Sequence, residues 1–191
     1  ATWEQASGRF RWPVASPVLM HFSTLPMHWE LAHRLAEVDE GANQLAAGDF
    51  ESLSHMLQHG WEQKVETQSN LHGDVELTPH EHKTGNYSLH LRAWSNDPSQ
   101  RNLIVPLPPV TVRSATVTVE PGQFLKIQGW LKIPQPITGS RDGLIVAESV
   151  GGKSMGIHMQ QTDDWQQFVL YRMADETGKV RVIFSLSGLG E

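Results

Sequence analysis

Between Gly122 and Ile133 the chain reads GQFLKIQGWLKI. Leu125, Ile127, Gly129, Leu131 and Ile133 fall on one side of that run, and Phe124, Lys126, Gln128, Trp130 and Lys132 fall on the other. Strict alternation over this length is the pattern of a long, half-buried β-strand, because successive side chains of a strand point to opposite faces. Its entry, Val119-Glu120-Pro121-Gly122, reads as a turn. Proline pre-sets φ at the first central position, and glycine accepts the positive φ that a type II turn requires at the second.

The same alternation returns along the chain. Tyr87, Leu89, Leu91 and Ala93 alternate with Ser88, His90, Arg92 and Trp94, and Asn96-Asp97-Pro98-Ser99 ends that run. Thr116 to Val119, Leu144 to Glu148, Met155 to Met159, Trp165 to Met173 and Val180 to Leu186 complete the expected strands. Turn residues separate them at the intervals of an antiparallel sandwich. Those intervals are too short and polar to hold the helices of a parallel βαβ arrangement. Residues 66–86 read as connecting loops around one short strand at Val75-Glu76-Leu77. Leu45 and Phe50 are expected in a short buried strand, and Leu53, Met56 and Leu57 in a brief helix before Gly60-Trp61. The segment ahead of this unit differs. Val18 to Phe22 suits a buried strand, and Ser23, Thr24 and Pro26 open a helix whose stripe is Leu25, Trp29, Ala32, Leu35 and Val38. The expectation is a mainly β chain, an antiparallel jelly-roll β-sandwich over 42–191, with an N-terminal extension of arm, strand and helix over 1–41.

Composition narrows the function classes. A chain of 191 residues is long enough for one substantial core plus an extension, burying about 70% of its unfolded surface. The formal net charge of −6 disfavours non-specific nucleic-acid binding and anionic membranes. The absence of cysteine excludes disulfides and zinc-thiolate sites. No apolar run approaches the ~18 residues of a membrane span, and Ala1-Thr2-Trp3 does not open a signal pattern. A chain starting at Ala1 is expected to be a processed or excised piece.

In order, Asn43-Gln44-Leu45, Gly48-Asp49-Phe50-Glu51, Gly60-Trp61, Thr84 to Leu89, Pro121-Gly122, Gly129-Trp130, Trp165 to Tyr171 and Val182 to Gly188 follow one another along the chain. Over residues 43–191 this resembles the carbohydrate-binding-module-like jelly rolls of the galactose-binding-like type. The resemblance implies an accessory domain of a larger bacterial protein, extracellular or periplasmic. It implies polysaccharide or other glycan, and other domains of the parent chain, as partners. It also implies a structural calcium ion at Glu51 with Asp49 nearby, since calcium takes several oxygen ligands in flexible geometry. Against that stands a plain alternative, in which Asp49 and Glu51 cap the short helix that follows. Such domains end in a further strand with an acidic pair, whereas this sequence stops at Gly188-Leu189-Gly190-Glu191. Either that strand is missing or Val18 to Phe22 fills the edge it would cover.

Of the residues that could carry chemistry, the aromatic and polar strand faces are the best candidates. Sugar recognition needs aromatic faces for stacking, flanked by planar hydrogen-bonding groups. Trp94 and Trp130 lie opposite the apolar sets of their strands, in company with His90, Arg92 and Gln128. In the competing arrangement the N-terminal extension packs over this face and turns both tryptophans into core. Ten histidines include His55 and His59 one helical turn apart, and His80-Glu81-His82. A structural zinc needs four ligands, and no third or fourth is visible, so solvated surface histidines are the expectation. Gly139-Ser140-Arg141-Asp142-Gly143 lacks the nucleophile-elbow spacing, and no carboxylate pair is singled out. The chain is therefore expected to be a non-catalytic carbohydrate-binding or accessory module. The alternative is a purely structural or protein-interaction domain with the same face covered.

Overall fold

The structure, a computed structural model, describes residues 41–66, 70–97, 104–173 and 178–191. The arm, the Val18 to Phe22 strand and the helix expected over 1–41 lie outside the described residues, apart from Gly41 itself.

One short α-helix, one turn of 3-10 helix at Lys153–Met155 and eleven strands make up the described chain. Helix α1 spans Leu53–Gln58. Ser52 is its N-cap, its hydroxyl accepting the His55 N–H at 3.3 Å. The cap is therefore Ser52, and Asp49 and Glu51 are free of that role. The strands are β1 (Glu62–Val65), β2 (Leu71–Thr78), β3 (Ser88–Ser95), β4 (Val110–Arg113), β5 (Val117–Val119), β6 (Phe124–Leu131), β7 (Leu144–Glu148), β8 (Ile157–Met159), β9 (Gln166–Met173), β10 (Gly178–Val180) and β11 (Val182–Leu186). Every pairing among them is antiparallel, so the protein is mainly β.

One layer is a five-stranded sheet in the order β1-β4-β11-β7-β8. Facing it are the ribbons β2-β3 and β6-β9, and a third ribbon, β5-β10, continues from β4 and β11. Period two decides which residues meet between the layers. Val110, Val146, Val182 and Leu186 of the sheet pack against Ala93, Leu131, Phe168 and Leu170 of the ribbons, with Ile133 and Ile137 beside them. A second cluster forms under α1, where Met56 and Trp61 pack with Ala47, Val112 and Ala115. Trp61, only 4% exposed, donates its indole N–H to the Ala46 carbonyl.

Where β4-β11 passes into β5-β10, three residues, Ser114 to Thr116, face two, Val182 and Arg181, because Arg113 pairs with Ile183 and Val117 with Val180. That mismatch is a bulge. The buried Ser114 repairs the broken ladder: its hydroxyl accepts the Val182 N–H at 2.9 Å, and its own N–H donates to Val182 O.

Three departures from the sequence reading follow from pairing. The short strand expected at Val75-Glu76-Leu77 is the full eight-residue β2, paired residue for residue with β3. Leu45 and Phe50 do not form a strand but sit in a turn-rich segment, Phe50 with φ 60° and its ring edge-on to Trp61 at 5.4 Å. The strand expected over Val180 to Leu186 is two, broken at Arg181 by the bulge.

Candidate ligand-binding site

The outward face of the β2-β3 ribbon is a ladder of charged and aromatic pairs: His72 opposite Trp94, Asp74 opposite Arg92, Glu76 opposite His90. Arg92 donates to Asp74 at 2.7 Å, and His90 Nδ1 lies 3.3 Å from Glu76. The bond from Arg92 holds the Asp74 carboxyl below the usual carboxylate range, and the same contact raises Arg92. Trp94 stacks on His72 at 5.8 Å and stays 42% exposed. On the β6-β9 ribbon, Trp130 lies opposite Gln167 and Gln128 opposite Val169, and Trp130 is 44% exposed.

The sheet ladders do not join β3 to β6. Among the described residues, β6 pairs only with β9, and β3 meets a single further partner when Ala93 exchanges two hydrogen bonds with Gly190. A half-open groove of about 570 Å³ opens between the two strands. Its floor is apolar, with Leu91, Gly129, Leu131, Ile133, Phe184 and Leu186. Its rim carries Tyr87, Trp130 and Trp165 with His90, Arg92 and Lys132. Of the five residues proposed from the sequence as a glycan face, His90, Arg92 and Trp130 line this groove. Trp94 and Gln128 do not, although Arg92 sits 5.8 Å from the Trp94 ring.

A strap crosses the mouth of the groove. The β2-β3 connection, residues 79–87, reaches over to β6, where Glu81 pairs with Lys132 at 2.8 Å. Two residues on, the Lys83 ammonium lies 4.6 Å from the centre of the Trp130 ring, at cation–π distance. Glu81 pushes the Lys132 amine up. The base of the strap is held by Glu51, which accepts the Asn86 N–H at 2.7 Å and its side-chain amide at 2.9 Å. Those bonds, the backbone one foremost, pull the Glu51 carboxyl below its ordinary value. Gly85 makes the clamp fit: at φ 71° a Cβ would be strained, and it would run into the Glu51 carboxylate.

This geometry defines what Glu51 and Asp49 can hold. Asp49 Oδ1 accepts the Glu51 N–H at 3.4 Å, and both Glu51 oxygens face Asn86 donors. A calcium ion at this carboxylate would share its two oxygens with the Asn86 donors. No group of three or more His, Cys, Asp or Glu converges among the described residues. His80 and His82 lie exposed on the strap, and Asp74 and Glu76 are engaged by Arg92 and His90 instead of joining them.

The sequence reading did not find Lys83, Tyr87, Trp165 or the Glu51–Asn86 clamp. Lys132 was within reach, since it sits two residues beyond Trp130 on the same side of the alternation. The others need the length of the β2-β3 ribbon, which decides where the strap lands. Comparison with protein-family models and with curated proteins finds no match for the chain.

Proposed function

We propose that this protein is a non-catalytic carbohydrate-binding module of the galactose-binding-like jelly-roll kind, an accessory domain of a larger extracellular protein. Its glycan site is the groove between β3 and β6, and the chain engages sugar by stacking on Trp130. The observation that carries this reading is the groove itself: an apolar trough at unpaired strand edges, rimmed by aromatic rings, with one tryptophan 44% open to solvent. Pyranose rings present apolar C–H faces to aromatic planes and hydroxyls to planar polar groups. Arg92 supplies such a group. Its side chain is 40% exposed, which leaves guanidinium edge open at the groove rim.

The carboxylates favour binding over acid catalysis. Those lining the groove have partners: Glu76 in His90 and Arg92, Glu81 in Lys132, Glu191 in His90, and Asp49 in the Glu51 N–H.

Native affinity electrophoresis in gels containing soluble polysaccharides tests the reading. Retardation by at least one polysaccharide, relieved in Trp130→Ala, is expected; unretarded migration across a broad panel would favour a structural or protein-interaction role. Running the gels with and without calcium, in the parent and in Glu51→Gln, tests whether an ion at that carboxylate contributes to binding.

A further inference from the structure

Helix α1 carries two imidazoles on its exposed side, neither of them part of the groove lining. His55 and His59 are one turn apart, and their Nε2 atoms approach to 2.9 Å, with the rings nearly perpendicular at 85°. The spacing is built in. His59 is the C-cap, its N–H bonding the His55 and Met56 carbonyls at 3.1 Å. The turn between them is anchored underneath by Met56, which is buried against Trp61. Neither imidazole has a carboxylate partner among the described residues; what draws the two ring nitrogens together is their own hydrogen bond, one Nε2–H donating to the other Nε2.

We propose that His55 and His59 form a bidentate surface site for a divalent transition metal of tetragonal preference, Cu(II) or Ni(II). An ion that takes the place of the shared proton meets both Nε2 donors of an i, i+4 pair, and a tetragonal centre accepts such a pair at neighbouring corners. Intrinsic affinity runs the same way, since Cu(II) outranks Zn(II) at a given nitrogen site. Both rings are at the surface and free to turn until their Nε2 lone pairs meet at one point, with Nδ1 carrying the proton of each. Because no third protein donor converges among the described residues, solvent fills the remaining positions. The site is thus open and exchangeable, unlike a closed structural one. It stands independently of the glycan reading.

Isothermal titration of the full chain with CuCl2, NiCl2 and ZnCl2 tests the proposal. The chain has ten histidines, so the comparison is made with His55→Gln, His59→Gln, and His80→Ala with His82→Ala as the control. One equivalent of Cu(II) is expected to bind tighter than zinc. Either glutamine substitution should weaken it by about tenfold or more, as loss of one arm of a chelate does, while the control leaves it unchanged. Electron paramagnetic resonance at one equivalent should show two equatorial nitrogens. Circular dichroism confirms that each variant is folded. A first equivalent that binds both glutamine variants as it binds the parent, or a single-nitrogen spectrum, would overturn the proposal. Zinc binding tighter than copper would overturn the assignment of the metal.

Discussion

Arg172→Met should destabilise this protein more than a single surface-charge change would. Glu148 on β7 is fully buried, and its partner Arg172 on β9 is 9% exposed, so the pair joins the two layers away from water. Arg172 Nε donates to Glu148 at 2.7 Å, and the guanidinium also donates to the carbonyls of Tyr171 and Met155. Glu148 further accepts the Val150 and Gly151 N–H groups, which folds the β7-β8 connection back onto it. Methionine keeps the apolar stem but removes a charge-assisted hydrogen bond worth about 1.5–3 kcal/mol. It also leaves the carboxylate buried without its counter-charge, which brings the cost to about 3–5 kcal/mol. For a domain of this size that lowers Tm by about 6–20 °C. Thermal and urea unfolding followed by circular dichroism measures it. Adding Glu148→Gln to Arg172→Met removes the stranded charge while keeping an acceptor for Val150 and Gly151. The double variant should then be more stable than Arg172→Met alone. A Tm loss under about 2 °C, or a double variant showing the full sum of the single losses, would refute the claim that burial makes this pair interdependent.

Three further predictions concern the strap. Gly85→Ala must hold alanine at φ 71°, costing about 1–2 kcal/mol, and displaces the Glu51 carboxylate; limited proteolysis should cut residues 79–87 faster than in the parent, and equal rates would contradict the clamp. Because Asn86 depresses the folded-state pKa of Glu51, its contribution is fully present above the unfolded value of about 4.3 and is lost as pH falls through the lower folded value. The protection factor of the Asn86 amide, taken against the intrinsic exchange rate at each pH, should accordingly fall on acidification in that window in the parent but show no such step in Glu51→Gln. Lys83→Ala uncovers one face of Trp130, so acrylamide should quench the fluorescence more strongly; unchanged quenching would mean that the cation–π contact is not kept in solution.

What the sequence made legible follows from how far each element depends on a neighbour. The alternation of β6 and β3 is written in their own residues, and it sorted Trp130 and Gln128, and Trp94, Arg92 and His90, onto outward faces without knowledge of pairing. β2 escaped because its outward half, His72, Asp74 and Glu76, is as polar as a loop. Only the partners Trp94, Arg92 and His90 make sense of it. β1 was missed because all four of its residues are exposed, leaving no burial pattern to read. β4 was missed because Pro106, Pro108 and Pro109 precede it. Phe50 was misplaced because packing against Trp61 overrides the dislike of a bulky side chain for positive φ. The groove itself is a property of two strand edges left apart, which no single segment encodes.

The central claim is that Trp130, at the rim of the β3-β6 groove, binds glycan. Titration of tryptophan fluorescence with soluble polysaccharides, in the parent, Trp130→Ala and Trp94→Ala, tests it most directly. The account predicts a saturable shift that disappears in Trp130→Ala and largely survives in Trp94→Ala, since Trp94 lies outside the groove lining. A parent that responds to no polysaccharide, or a Trp130→Ala variant that binds as the parent does, would contradict it.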